Sequence, residues 1–335
     1  MDLDRYLTLH RGEWDRLRAL TSAVGQSPKS VPRVEQDEFV SLHHRVSAQL
    51  SFVRGFYADP GLVAELNGLV AGSNSVLYRR TSSRRSAIRR FFSISFPGAV
   101  WHIRRAIVVS ALALFIPWAV VAIWLGTSDE ALNLAIDEPT RNALVERDFE
   151  DYYSSAAAEE FAVRVLVNNI QVSFLAYALG ITFGVGTLYI LAFNGFNVGA
   201  SHGVFIAAGA QGTFFGLITP HGLLELSAVV IAGAAGLSMG WALVRPGDRL
   251  RSKAFGEEGK RSVSVILGLV LAFVVAGLIE GFVTPGLPLW PRIAVGTSVW
   301  AAFVVYIVVL GRRAELAGFT GLIAETEERA AASVT

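Results

Sequence analysis

The chain of 335 residues contains no cysteine, and only 17% of its residues are charged. Without cysteine it can form neither a disulfide framework nor a thiolate metal site. Charged residues make up about 25% of an average soluble domain, so this chain is poor in charge. It is also 53% hydrophobic, with a mean hydropathy of +0.47. Several apolar runs exceed the roughly 18 residues that mark a membrane-spanning helix, which indicates an integral membrane protein.

The sequence also lacks the common motifs of soluble enzymes. Its predicted cytosolic parts contain no P-loop, no dinucleotide-binding fingerprint and no serine-nucleophile elbow, and the chain contains no HExxH pattern. These absences argue against ATP hydrolysis by this chain and leave no catalytic residue or cofactor to assign. The first twenty residues do not have the basic-then-apolar layout of a signal peptide, so we expect a cytosolic N-terminus.

Residues 1–96 are predicted to form a cytosolic helical module. Breaks at 27–32 (SPKSVP) and 59–61 (DPG) divide it into three amphipathic helices. We expect an antiparallel bundle that acts as a structural cap or as a docking surface for a partner. The apolar positions at helical spacing are Leu3, Leu7, Trp14, Leu17 and Val24, then Phe39, Leu42, Val46, Leu50, Val53 and Tyr57, then Leu62, Leu66, Leu69, Val76 and Leu77.

Residues 79–105 contain no acidic residue. The segment has eight arginines: Arg79, Arg80, Arg84, Arg85, Arg89, Arg90, Arg104 and Arg105. Basic residues beside a spanning helix are attracted to the anionic inner leaflet by roughly 1 kcal/mol each. Nucleic-acid binding is the alternative. The aromatic residues Phe91, Phe92, Phe96 and Trp101 and the adjacent spans favour the membrane surface.

Apolar runs predict six spans, at approximately 103–125, 167–192, 196–217, 221–243, 262–283 and 293–311. The segment at about 128–160 is acidic and suits the outer side, whereas 245–261 and the residues after the last span are basic and suit the cytosol. The sequence thus predicts an all-α polytopic membrane helix bundle with both termini cytosolic. Residues 97–315 would form the membrane domain, and 316–335 a short cytosolic tail.

Small residues recur at four-residue steps in the middle spans. Close backbone approach drives helix association in lipid, so these glycines predict tight packing, although they could instead line a conduit. The span at 196–217 could also be a re-entrant hairpin, because Asn194–Gly195 suggests a turn that Asn194 and Asn197 would cap. The glycines concerned are Gly180, Gly184, Gly195, Gly199, Gly203, Gly236 and Gly240.

Six polar residues are predicted to lie at a similar depth near the outer side: Asn168, Asn169, Gln171, His221, Glu225 and Glu280. Such groups within a span are costly and usually face the bundle interior. Positions i and i+4 share a helix face, so His221 and Glu225 point the same way. Thr219 and Pro220 suit the start of that helix. The cluster could lock helix packing or receive a partner, relay protons or ions, or hold a metal.

The segments NNIQVSFLAYALGITFGVGTLYILAFNGFNVGA and TPHGLLELSAVVIAGAAGLSMG resemble the stage II sporulation protein M family, over roughly residues 100 to 311. The resemblance implies a polytopic membrane scaffold, since the family's namesake works with two peptidoglycan-degrading partners. The basic N-terminal module suits the longer, non-sporulating branch, often encoded beside a MoxR-type AAA ATPase and a von Willebrand A-like protein. The matching features are Asn168–Asn169, Gly180, Gly184, Gly186, Asn194–Gly195, Gly199, His221–Gly222, Glu225 and Ala232–Gly236.

We therefore predict a bacterial multi-pass scaffold or assembly protein of the plasma membrane, linked to cell-envelope remodelling. Its expected partners are anionic inner-leaflet lipids, an envelope-side protein, and a cytosolic MoxR-type ATPase or von Willebrand A-like protein. A homo-oligomer is compatible with the sequence, and no nucleic acid is expected. The alternative is a transporter, channel or lipid-translocating protein with Glu225 and Glu280 as a titratable gate.

Overall fold

The computed structural model describes residues 2–26, 30–57, 59–77, 84–142, 157–284 and 286–332. Within these ranges every regular element is helical, which confirms the all-α prediction. The chain divides into two compact units, Met1–Ser83 and Arg84–Thr335. The division lies earlier than residue 96, so most of the arginine-rich segment belongs to the second unit.

The first unit consists of three helices: α1 (Leu3–Gln26), α2 (Arg33–Phe56) and α3 (Pro60–Leu77). All three fall where the apolar spacing predicts them. Their apolar faces form a core of their own around Trp14, Leu17 and Val46, and the indole N–H of Trp14 donates to Gln49 Oε1 at 2.7 Å. Apolar burial between the three helices therefore stabilises this unit.

The second unit contains long apolar helices joined by short turns. A helical stretch made of α4, a π-helical turn and α5 bends at Ile103 into α6. The elements are α4 (Arg84–Arg90), the π-helical turn Phe91–Ser95, α5 (Phe96–His102), α6 (Arg104–Thr127), α7 (Asp129–Ala135), α8 (Glu138–Asn142), α9 (Ala157–Ala178), a 3-10 turn (Leu179–Ile181), α10 (Val185–Ala207), α11 (Gln211–Val244), α12 (Arg251–Leu278), the π-helical turn Ile279–Val283, α13 (Leu289–Leu316) and α14 (Ile323–Ala332).

Five helices in the described part are long and apolar enough to cross a membrane: α6, α10, α11, α12 with its π-helical turn, and α13. A shorter apolar helix, Leu166–Ile181, lies in α9 and its 3-10 turn. The described part of the chain thus has five helices of spanning length where the sequence predicts six, and the second predicted span corresponds to the shorter helix. The bounds of the second and third predicted spans, 167–192 and 196–217, are wrong.

The chain turns at Thr182–Gly184 rather than at Asn194–Gly195. Phe183 and Gly184 have φ values of 57° and 84°, the left-handed region that ends a helix. Asn194 instead lies inside α10 and is only 8% exposed, so it does not cap an inner turn. Thr182–Gly184 is only three residues long within an apolar run, and a hydropathy window cannot detect it.

Two further expectations are overturned, one about where a helix starts and one about an aromatic residue. Helix α11 begins at Gln211, so Thr219 and Pro220 lie inside it and do not start it. Phe96 is not at the membrane surface: it is 2% exposed and its ring packs against Gly268 of α12, where an added methyl group would overlap it. The aromatic residues of this segment therefore pack partly inside the bundle, because α5 is buried between α12 and α13.

The predicted tail contains the ordered helix α14. The hydroxyl of Ser95 donates to Thr326 Oγ1 at 3.0 Å, and Arg90 donates to both carboxylate oxygens of Glu327. Thr326 is 2% exposed. Helix α14 is therefore fixed against the π-helical turn that precedes α5.

Candidate functional site

Three helices bring polar side chains together inside the second unit. His221 and Glu225 lie one turn apart on the same face of α11, as the i, i+4 spacing requires. Glu280 lies in the π-helical turn that extends α12, and Asn169 lies on α9. A π-helical turn changes the direction of the following side chains, which sets where Glu280 points. We call His221, Glu225, Glu280 and Asn169 the polar cluster.

The members of the polar cluster are within interaction distance of one another. His221 Nε2 lies 4.0 Å from Glu280 Oε1, and the side chain of Asn169 is within hydrogen-bonding reach of the Glu225 carboxyl group. His221, Glu225 and Glu280 are 6%, 3% and 4% exposed. Asn168, by contrast, has an exposed side chain, since successive helix positions point about 100° apart. The structure therefore does not place Asn168 in the cluster.

Two atoms of the polar cluster are buried without a hydrogen-bond partner in the described part of the chain: Glu225 Oε1 and His221 Nδ1. Buried polar atoms are usually paired, and unpaired ones often mark a functional site. The described residues include no group of three or more His, Asp or Glu side chains arranged to hold a metal ion. What the arrangement offers chemically is a proton-sharing set of two carboxyl groups and one imidazole.

Helix α13 closes the bundle beside the polar cluster. A methyl group added at Gly296 would lie 2.6 Å from the carbonyl carbon of Pro220, the residue before His221. One turn earlier, Arg292 donates to the carbonyl oxygen of Thr284 at 3.2 Å, just beyond Glu280 along the chain. Neither Gly296 nor Arg292 is signalled by sequence motifs, because their positions depend on how α13 crosses α11.

The glycines expected to pack helices are in contact with neighbouring backbone. Methyl groups added at Gly199 and Gly203 would lie 2.6 Å from the Trp118 carbonyl oxygen and 2.7 Å from Leu125 Cβ, both on α6. Those at Gly180 and Gly236 would overlap backbone across the contact between the end of α9 and α11. Gly195 and Gly240 are equally tight against Leu114 and against Gly184. In the described part of the chain, the space beside each of these glycines is therefore occupied by atoms of a neighbouring helix or turn.

The comparisons with known sequences agree with this architecture. The sequence profile described as stage II sporulation protein M matches residues 111–285, which is more than half of the chain. The chain belongs to the stage II sporulation protein M family. All four members of the polar cluster lie in this family region. A second profile, described as a domain of unknown function (DUF8413), matches residues 4–79, which lie within the first unit.

Two relatives are uncharacterized proteins of the archaeon Methanocaldococcus jannaschii. MJ0793 is 35% identical over 123 residues, which cover 36% of this chain and 69% of that protein. MJ0706 is 29% identical over 123 residues, which cover 35% of this chain and 52% of that protein. No solved structure matches the chain. Family membership and the apolar helices together make this a multi-pass membrane protein, and its archaeal relatives fit a branch of the family outside sporulating bacteria.

Sequence reasoning missed a second buried polar group in the family region, at the other end of α12. Glu258 and Arg261 form an ion pair and are 8% and 7% exposed. Arg261 Nε also donates to the carbonyl oxygen of Thr320 at 2.8 Å, and His102 Nε2 lies 3.8 Å from Glu258 Oε1. The i, i+3 spacing of Glu258 and Arg261 was visible in the sequence. The surrounding charged residues made it resemble an ordinary exposed loop.

The arginine-rich segment divides into free and paired side chains. Arg79, Arg80 and the side chain of Arg84 lie outside the described residues. Arg85, Arg89 and Arg105 are exposed. Arg90 pairs with Glu327, and Arg104 NH1 lies 3.0 Å from Glu315 Oε1. Two of the predicted membrane-surface arginines therefore also hold the C-terminal segment.

His202, on α10, is hydrogen-bonded to a neighbouring helix. The indole N–H of Trp118 on α6 donates to His202 Nδ1 at 3.2 Å, and the imidazole stacks on Phe214 with 4.4 Å between ring centroids. His202 therefore packs among aromatic side chains and lies outside the polar cluster.

Proposed function

We propose that this protein is a non-enzymatic assembly platform of the plasma membrane, linked to cell-envelope remodelling or to a MoxR-type ATPase system. The observation that carries the proposal is the backbone contact along the glycine faces. A conduit between these helices would need room that the structure fills with the carbonyl groups of Trp118 and Ala176. Tight glycine packing instead gives a rigid body, which suits a protein that holds others in place.

The exposed charged surfaces support a platform with partners on two sides. Asp129 and Glu130 on α7, Asp137 between the two helices and Glu138 on α8 are exposed and follow the predicted outer end of α6. Exposed arginines lie in α4, before the same helix begins. Opposite charges at the two ends of one span would attract an envelope-side protein and a cytosolic one separately, since charge complementarity guides encounter.

Co-purification tests this proposal. We expect the chain, extracted from native membranes in a mild detergent, to retain a stoichiometric protein partner. The double variant Asp137→Lys/Glu138→Lys should lose the envelope-side partner, whereas Asp248→Lys, in the loop between α11 and α12, should keep it. Recovery of the wild-type chain alone would count against the platform.

A second candidate function rests on the unpaired atoms of the polar cluster. Glu225 Oε1 and His221 Nδ1 have the chemistry of a proton-coupled transport site, because a buried carboxyl group and an imidazole can exchange protons. Flux into liposomes containing the purified protein decides this. Transport predicts flux that Glu225→Gln abolishes and that Glu257→Gln, on the solvent side of α12, leaves intact. No flux across a panel of ions, lipids and small solutes would reject it.

A further inference from the structure

A partly open groove lies between α6 and α13, with α11 as its floor. It encloses about 470 Å³, within the range of about 300–1,000 Å³ that ligand pockets occupy. Its lining is predominantly apolar. On α6 the lining residues Ile107, Ala111 and Phe115 recur every four positions, which places them on one helix face.

The dimensions of this groove suit one hydrocarbon chain. Its floor extends from Phe215 to Ile231 of α11, which at 1.5 Å per residue is about 24 Å. A groove of this length with an apolar lining can hold an extended hydrocarbon chain lengthwise.

Three tryptophans line the groove, and the N–H of each is already bonded within the protein. Trp101 Nε1 donates to Glu315 Oε2 at 2.6 Å, Trp118 to His202 at 3.2 Å, and Trp300 to Ser227 Oγ at 3.0 Å. The polar edge of each indole is therefore satisfied, and what remains for an occupant is apolar ring surface. This favours a lipid chain over a polar solute.

The end of the groove beside the start of α6 is positively charged. Arg104 lines it there, and Arg312 follows the lining residue Val308 by one turn of α13. Arg105 and Arg313 are exposed next to them, and Glu315, which pairs with Arg104, offsets one of these four charges. Both helices reach this end at their basic, cytosolic side, where anionic lipids of the inner leaflet lie.

We propose that the groove binds one acyl chain of an anionic phospholipid, whose phosphate lies between Arg104 and Arg312. The apolar lining, the satisfied indole groups and the cationic end of the groove together favour this occupant. The site is separate from the polar cluster and from the surfaces of the assembly platform, so it stands whether or not that function does.

Native mass spectrometry of the full chain in nanodiscs containing phosphatidylglycerol and phosphatidylcholine tests whether the groove binds an acyl chain. We expect one phosphatidylglycerol to remain bound after release from the disc. Ala111→Phe, which fills the groove, should reduce the bound fraction at least about tenfold, equivalent to ~1.4 kcal/mol. Ala119→Phe adds the same ring on an exposed position of α6 outside the groove and should retain the lipid. Equal retention by the two variants would overturn the proposal.

Recognition of the anionic headgroup is tested with a second pair of variants. Arg104→Gln/Arg312→Gln should abolish the preference for phosphatidylglycerol over phosphatidylcholine, whereas Arg105→Gln should preserve it. Equal binding of both lipids by the wild-type chain would contradict the anionic assignment. If Ala111→Phe fails to fold, Leu226→Phe fills the same groove from α11.

Discussion

At the scale of single residues, the main physical problem is the burial of carboxyl groups. Glu225 and Glu280 are both less than one-twentieth exposed, and His221 is the basic group within ion-pair distance in the described part of the chain. Two unpaired buried carboxylates would be expensive, so the cluster is expected to hold protons. The buried carboxylate of Glu258 is instead stabilised by a direct ion pair with Arg261. The two ends of α12 thus carry the polar cluster and an ion pair.

Substitution of Glu225 distinguishes a neutral contact from a required charge. Glu225→Gln keeps the shape and is expected to change the free energy of unfolding by less than about 1 kcal/mol. Glu225→Ala leaves a cavity and removes the partner of Asn169, and should cost about 2–4 kcal/mol. Denaturant titration in mild detergent measures both. A glutamine variant as unstable as the alanine variant would show that the negative charge itself is needed.

His43 in the first unit predicts a pH dependence. It is 5% exposed, its Nδ1 lies 2.8 Å from Ser73 Oγ, and burial, aided by the neighbouring His44, lowers its pKa below the ordinary 6.5. The unfolded chain therefore binds a proton below about pH 6.5 while the folded unit does not, so stability is complete above that pH and falls below it.

Hydrogen exchange of the full chain, corrected for intrinsic rates, measures this effect. We expect protection of α2 to fall between about pH 7.5 and about pH 5.5. His43→Gln should remove most of that fall, and His44→Gln, at an exposed position, should retain it. Protection that is independent of pH in the wild-type chain would contradict the prediction.

At the scale of helices, glycine faces decide which elements meet. The end of α9 crosses α11 where Gly180 and Gly236 lie against each other's backbone, and α10 lies against α6 through Gly199 and Gly203. Close approach of this kind replaces the hydrophobic driving force that lipid-embedded helices lack. The left-handed backbone at Gly184 then lets the chain reverse directly from one glycine contact into α10.

Gly236→Ala should destabilise the bundle by about 1–3 kcal/mol, because its methyl group would overlap the carbonyl oxygen of Ala176 and the backbone cannot move away. Gly256→Ala is the matched control. Nothing lies within 4 Å of a methyl group there, so the exposed helix position should gain up to about 1 kcal/mol. Thermal unfolding of both variants in detergent measures the difference, and an unchanged transition for Gly236→Ala would contradict backbone packing.

At the scale of the whole molecule, two units with different cores share one chain. The first unit buries side chains between amphipathic helices, as soluble bundles do. The second unit leaves large apolar side chains such as Ile123, Phe174 and Val305 exposed, as lipid-facing helices do. The positive-inside rule predicts that the spanning helices alternate across the bilayer, with the basic loop 245–250 on the cytosolic side.

Single-cysteine labelling tests this topology, because the native chain contains no cysteine and gives no background. Asp137→Cys should react with an impermeant maleimide in intact cells, and Thr182→Cys and Asp248→Cys only after permeabilisation. Asn197→Cys, in the middle of α10, should not react in either case. Labelling of Asn197→Cys to the same extent as Thr182→Cys would restore the turn at Asn194–Gly195 and contradict the helix bounds found here.

Much of this architecture could be predicted because hydropathy and periodicity are local signals. The three helices of the first unit and the span at α6 follow directly from apolar spacing. The turn at Thr182–Gly184 could not be predicted, because left-handed backbone at two residues does not change the mean hydropathy of the surrounding window. The pairing of Arg261 with Thr320 joins residues 59 positions apart and depends on how the C-terminal segment folds back.

The sequence by itself determined that the chain is an all-helical membrane protein and which polar residues of α11 share a face, because the helix repeat and the cost of polar groups in lipid act locally. Only the tertiary structure decided that Asn169 and Glu280 join that face and that Asn168 does not. It also decided that the glycines contact backbone, and that α6, α11 and α13 leave a groove between them. Those outcomes depend on helix crossings, which side chains far apart in the chain set together.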